Sequence, residues 1–217
     1  MNQKSLFGGA VVAFVVLFAG AAVWFNASKS GASGTVPEAT LTALHRDHAA
    51  TVGRADAPVV IAEFLDPACE TCASFYPAVK DMMAANPGRI RVVLRWAPFH
   101  DGSRDVVALL EAARKQNKFW PVLETLLATQ RAWAINHTAN VELAWQQLGG
   151  LGLDREQILA DMASPDIAQI IDQDLADANA LNVTMTPEFF VNGKPMPSFG
   201  YEQLLQLVTE ALQQTGG

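Results

Sequence analysis

Val59-Val60-Ile61-Ala62-Glu63-Phe64-Leu65-Asp66-Pro67-Ala68-Cys69-Glu70-Thr71-Cys72 is the stretch on which the reading of this chain turns. Its first seven residues are rich in β-branched side chains and almost wholly apolar, as expected of a short buried strand. Asp66-Pro67-Ala68 then leads into a helical stretch from about Cys69 to Ala85, which Asn86-Pro87-Gly88 breaks. Arg89 to Trp96 (RIRVVLRW) is a second strand, ended by Ala97-Pro98. Strand, helix and strand within so few residues form a βαβ unit, with parallel strands and a right-handed crossover.

The chain has two cysteines, Cys69 and Cys72, spaced as C-x-x-C. A scaffold of several disulfides is excluded, as is an all-cysteine zinc or iron–sulfur site within one chain. At a helix start the first sulfur meets free backbone N–H groups and the positive end of the helix dipole, which favour thiolate. The second lies one turn deeper, where it can resolve a mixed disulfide. The spacing also suits half of a metal site or a structural bridge, but its place after a buried strand in a βαβ unit favours redox chemistry.

Residues 103–181 read as a run of helices, at about 103–117, 119–131, 140–148, 154–163 and 165–181, punctuated by Asn136, Gly149-Gly150-Leu151-Gly152 and Ser164-Pro165. Strand character resumes at Glu188-Phe189-Phe190-Val191 and reaches Asn192-Gly193, a strong hairpin signal. Tyr201 to Gln213 closes the chain as an amphipathic helix with Leu204, Leu205, Val208 and Leu212 on one side. The expected order is therefore β-α-β, a helical insertion, then β-β-α. The glycine cluster follows no strand, so it does not mark a dinucleotide site.

The run from Glu63 to Cys72 resembles the active-site strand and helix start of DsbA-like members of the thioredoxin superfamily. Pro77 in the helix, the placement of the insertion, and Met185-Thr186-Pro187-Glu188-Phe189-Phe190-Val191-Asn192-Gly193 agree with that resemblance, which covers roughly residues 45–215. It implies an α/β thioredoxin-like fold with an inserted helical subdomain. Cys69 would be the nucleophile, Cys72 the resolving cysteine, and Pro187 a cis-proline facing the pair, with the Thr186 backbone offered to a substrate peptide. Taken without the resemblance, Pro187 also reads as an ordinary trans proline at a strand start. Similar proteins place a buried acid beneath the disulfide, and Glu63 is the candidate for moving the resolving thiol's proton; an outward-facing edge residue is the equal alternative. Strongly oxidising relatives often carry proline and histidine between the cysteines, where this chain has Glu70 and Thr71. A carboxylate beside Cys69, with Asp66 adding to it, should raise the thiol's pKa and give a moderate or reducing couple.

Of 217 residues, 50% are hydrophobic and 17% charged, which excludes a mostly disordered chain. The net charge of −7 argues against nucleic acid as a partner. Leu6 to Phe25 (LFGGAVVAFVVLFAGAAVWF) is uncharged and long enough for a ~30 Å hydrocarbon core, which favours an uncleaved signal anchor over a cleaved signal peptide. Residues 1–25 are thus expected to form a single transmembrane helix, 26–44 a linker whose Asn26–Thr35 part is rich in Ser, Gly and Ala, and 45–217 the DsbA-like domain. Residues 1–35 hold Lys4 and Lys29 and no acid, so residues 36–217 carry 13 basic and 22 acidic side chains, net −9.

The function expected is a thiol–disulfide oxidoreductase (oxidase, isomerase or reductase) tethered to the bacterial inner membrane with its domain in the periplasm. Its partners would be protein or peptide thiols and disulfides and a membrane or periplasmic redox protein; it needs no bound cofactor or metal. Two other classes stand beside it: a copper- or zinc-handling thiol protein, and a thioredoxin-fold adaptor that binds peptides without turnover. His45 and His48 read as a surface pair rather than metal ligands, His100 as a loop residue, and Trp96, Trp120, Trp133 and Trp145 as core packing.

Overall fold

Residues 36–215 are described by the computed structural model. The expected transmembrane helix at Leu6–Phe25 and the Ser/Gly/Ala tether lie outside them. Among the described residues no helix is long and apolar enough to cross a membrane.

The chain runs α1 (Glu38–Leu44), β1 (Ala50–Val52), β2 (Val59–Leu65), α2 (Glu70–Ala85) and β3 (Ile90–Trp96). The insertion follows: α3 (Ser103–Lys115), α4 (Phe119–Ala128), a 3-10 turn (Gln130–Ala132), the short strands β4 (Ala134–Ile135) and β5 (Thr138–Ala139), α5 (Val141–Gln146), α6 (Arg155–Met162) and α7 (Pro165–Ala180). It closes with β6 (Glu188–Val191), β7 (Lys194–Pro195) and α8 (Tyr201–Gln214). The main sheet has the order β1-β3-β2-β6-β7. β2 and β3 are parallel, with Glu63 opposite Leu94, and β2 and β6 antiparallel, with Glu63 opposite Phe189.

β2 is therefore the central strand, and six of its seven residues are buried. Alternate side chains of a strand point to opposite faces. On one face Val59 and Ile61 pack with Val79 and Met82 of α2 and Leu204 and Val208 of α8. On the other, Ala62 and Phe64 pack with Leu44 and Ala178 of the helices covering that side. A third cluster joins Leu65 and both cysteines to α3, α4 and Trp133. Trp96 and Trp133 are fully buried, as core packing requires.

Three expectations change. Residues 38–44, placed in the linker, form α1, because Ala43 and Leu44 have a core to enter. An edge strand, β1, pairs antiparallel with β3 where no strand was expected; three residues are too few to show a period. Leu205, assigned to the apolar side of the last helix, is exposed, and Ala211 takes the buried position with Leu204 and Val208.

The face carrying α7 is fastened by ions. Arg95 of β3 is fully buried and donates to Asp174 through Nε (3.1 Å) and Nη2 (2.5 Å), to Asp177 Oδ2 (2.8 Å) and to the Ala43 carbonyl. Asp174 also accepts from the Trp96 N–H at 2.7 Å and lies 2.6 Å from His48 Nε2, while Arg46 pairs with Asp177. His48 is thus committed to a buried carboxylate. Removing one partner of a buried pair leaves an uncompensated charge and costs about 3–5 kcal/mol. Asp174→Ala is expected to lose that much in urea unfolding, whereas Asp172→Ala, which frees only the exposed Arg104, should stay within about 0.5 kcal/mol of the parent.

Candidate active site

The C-terminal end of β2 delivers Asp66-Pro67-Ala68 into the core, and α2 starts immediately beyond. Asp66 is fully buried and accepts from five donors: the N–H groups of Ala68 (2.9 Å), Phe99 (2.7 Å) and His100 (2.8 Å), His100 Nδ1 (2.7 Å) and the Ser103 hydroxyl. This carboxylate ties the loop before the cysteines to the loop after β3. Gln130, from the insertion, donates to the carbonyls of Pro67 (2.7 Å) and Cys69 (3.0 Å) and fixes the same turn from the other side.

Cys69 is the N-cap residue of α2, with φ −79° and ψ 117°, and Cys72 lies one turn in. Both thiols are free; Cys69 is nearly and Cys72 completely buried. The Cys69 sulfur lies 3.2 Å from the Thr186 carbonyl oxygen. The Thr186–Pro187 peptide bond is cis. The segment before β6 therefore meets the helix start, and Cys69, Cys72, Thr186 and Pro187 converge although more than a hundred residues separate the two segments.

Glu63 completes the set. It shares the face of Ile61 and Leu65, directed toward α2, and is 1% exposed. The outward-facing alternative is thereby removed. Its Oε1 has no hydrogen-bond partner, which is rare for a buried carboxylate.

These surroundings push the three groups apart. Hydrogen bonds from the Cys72 thiol, from the Thr186 side chain and from the N–H groups of Cys72 and Thr71 bring Cys69 down to about 5, against the opposing effect of burial. Burial first, then the hydrogen bond to Cys69 and the nearby Glu63 carboxylate, push Cys72 well above the ordinary thiol range. Burial, with the Cys69 charge adding to it, raises Glu63 to about 8. The expectation that Glu70 would raise Cys69 is corrected: its carboxylate is 54% exposed and paired with His137 at 3.3 Å, and the helix-start donors prevail. Asp66 does not act as expected either, since its oxygens are taken up by the five donors.

The site brings together Cys69, Cys72, Glu63, Thr186 and Pro187, leaves His48 on Asp174 elsewhere, and adds residues the sequence did not point to. Gln130 and His137 carry no motif, and only their places in the 3-10 turn after α4 and in the β4–β5 turn bring them near. His100 is more than a loop residue: it bonds Asp66 and stacks on His137. Among the described residues no group of three or more His, Cys, Asp or Glu side chains is placed to hold a metal.

Buried paired thiols of opposite tuning, with the Thr186–Pro187 segment against the first sulfur, sit on a sheet with a helical insertion, an arrangement chemically suited to thiol–disulfide exchange. Residues 46–210 match the family profile described as Thioredoxin, and the chain belongs to that family. A thioredoxin-like oxidoreductase from Silicibacter pomeroyi DSS-3 superposes with a TM-score of 0.68 at 28% identity, over 79% of this chain and 97% of that one. Wolbachia pipientis alpha-DsbA1 shares the fold, with a TM-score of 0.69 at 16% identity, over 81% of this chain and 96% of its own. A curated relative, the Na(+)/H(+) antiporter NhaA of Herminiimonas arsenicoxydans, is 32% identical over 142 residues, which are 65% of this chain and 22% of the antiporter. The chain thus spans about a fifth of that protein.

Two outcomes follow from the tuning. Iodoacetamide should alkylate only Cys69 in the reduced protein, at a rate reaching half its limit near pH 5, where a free cysteine would do so at ~8.5; a midpoint of 8 would refute the site. Between its ordinary 4.5 and about 8, Glu63 keeps in the folded protein a proton that the unfolded chain has released. Stability should therefore fall as pH rises through that window. Glu63→Gln in the oxidised protein should melt on the order of 5–10 °C higher than the parent at pH 8 and about level with it at pH 4.

Proposed function

We propose that the chain is an extracytoplasmic, membrane-tethered disulfide carrier of moderate oxidising strength, acting on protein or peptide thiols through Cys69 and Cys72. The observation that supports it most is the opposite tuning of the two sulfurs at one helix start. A first thiol at about 5 lies between the ~7 of thioredoxin and the ~3.5 of DsbA. Stabilising the thiolate stabilises the reduced form, so the couple belongs between those two in potential. This is the moderate end of the range expected from sequence.

In the oxidised protein a substrate thiolate attacks the Cys69 sulfur, the more accessible of the two, and the Cys69–Cys72 bond breaks. Cys72 leaves as a thiolate and takes the proton that Glu63 holds up to about pH 8. A second substrate thiol, once deprotonated, attacks the sulfur joined to Cys69, forming the substrate disulfide and releasing the Cys69 thiolate. Two electrons pass to the pair, which a second redox protein must reoxidise. Thr186 and Pro187 line the approach to Cys69, where an extended peptide can pair with the exposed backbone.

The tether reading rests on the twenty uncharged residues from Leu6 to Phe25. The relatives named as antiporters give the chain no transport function, because what it shares with them is a minor part of their length.

Cys72→Ala, expressed with its natural N-terminal segment, should accumulate disulfide-linked adducts on Cys69 that dithiothreitol releases, and Cys69→Ala should accumulate none. An adaptor would capture the same peptides with either variant and without covalent bonds. Accumulation in the membrane fraction, resistant to carbonate and released by detergent, checks the tether.

A further inference from the structure

Four side chains from three separate segments meet beside the helix start. His100 Nδ1 lies 2.7 Å from Asp66 Oδ2. The His100 ring stacks on that of His137, with centroids 5.4 Å apart and planes inclined by 18°. His137 Nδ1 lies 3.3 Å from Oε2 of Glu70, the residue that follows Cys69. His137 and Glu70 are exposed, while His100 is only 22% exposed between them and the buried Asp66.

The chain goes to some length to place His137. It occupies the second position of the two-residue turn between β4 and β5, at φ 60°, after Asn136 at φ 51°. Asn-Gly is the usual occupant of such a turn, and holding a non-glycine residue left-handed there is unfavourable. The hairpin is pinned to the His100 loop by the bridge between Asp101 and Thr138 and by the Ala139 N–H donating to the Asp101 carbonyl at 2.8 Å. Gly102 permits the approach: a Cβ there would stand 2.2 Å from the Ala139 carbonyl oxygen. The distance between the two imidazoles is thus set by backbone, not by side-chain chance.

We propose that the stacked His100–His137 pair is a positioning device for the redox reaction: held against Glu70, it offsets the carboxylate next to Cys69 and helps keep that sulfur a thiolate. The proposal rests on Cys69 being the nucleophile. A bare carboxylate one residue from the sulfur would repel the thiolate, and a cation held against it removes that repulsion. The charged groups in contact with the pair are Asp66 from the β2–α2 loop and Glu70 from α2. Asp101 lies on the His100 loop itself and Arg131 in the 3-10 turn before β4. The group that meets Glu70 is thus supplied from the insertion, not from the helix that carries the cysteines.

The test uses His137→Asn, since asparagine tolerates the left-handed turn. At low ionic strength, the pH midpoint of Cys69 alkylation should move upward from near 5. The glutathione equilibrium should shift about threefold toward the oxidised protein, or ~15 mV more reducing at ~30 mV per tenfold. The same substitution should change nothing in a Glu70→Gln background, and the shift should vanish in 1 M KCl. His100→Gln, which also ends the stack, should act in the same direction. An unaltered midpoint and equilibrium in both histidine variants at low salt, or shifts that add to those of Glu70→Gln, would overturn the proposal. Alkylation reads the thiol without turnover, so a parent midpoint near 5 with no mixed disulfides would fail the proposed function and leave the histidine effect measurable.

Discussion

Everything at this site depends on a strand with no wet face. β2 is covered by α2 and α8 on one side and by α1 and α7 on the other, with β3 and β6 bonded along its edges. Polar chemistry is then confined to the strand's C-terminal end, where the chain must leave the sheet. Asp66 makes that exit possible: a fully buried carboxylate is tolerated because five donors from two segments close on it. The turn they fix sets Cys69 at the cap of α2, and the helix start does the rest.

The same burial separates the roles of the two sulfurs. Both are in apolar surroundings, which alone would raise both thiols. Cys69 escapes because the N–H groups of Thr71 and Cys72 and the Cys72 thiol converge on it, while Cys72 has a carboxylate for a neighbour and few donors of its own. Glu63 is destabilised by its burial: a carboxyl with an unpartnered oxygen inside a sheet stays protonated at neutral pH, and in the proposed exchange that proton goes to the departing Cys72. Stability is given up at a central strand position where a valine would pack without cost, and the return is a proton beneath the disulfide.

How far the sequence could be read follows from the range of the interactions involved. The βαβ core, the order of the remaining elements and the two cysteines were legible because strand runs, helix breakers and C-x-x-C are local signals. The place of Thr186 and Pro187 was legible only through resemblance, since nothing in residues 185–193 refers to residue 69. The burial of Glu63 could not be decided locally: its exposure depends on β6 pairing along β2, a contact made across more than a hundred residues. The fate of Glu70 was misjudged for a related reason. Its charge was weighed against the sulfur alone, while the imidazole that meets it comes from a turn sixty-seven residues later. α1, β1 and the β4–β5 hairpin escaped because two to seven residues are too few to show a period.

The insertion is therefore more than a cover for the sheet. Gln130 holds the carbonyls of Pro67 and Cys69, Ser103 closes the set around Asp66, and His137 reaches Glu70 from the hairpin. Three of the contacts that define the helix start come from outside the βαβ unit that contains it. A bare βαβ core would keep the two cysteines and the helix dipole but lose the groups that hold the turn and balance its charge. Since His137 pairs with Glu70 and stacks on His100, the carboxylate and the two imidazoles are best understood together. A carboxylate beside the nucleophile is tolerable in this chain because the insertion answers it.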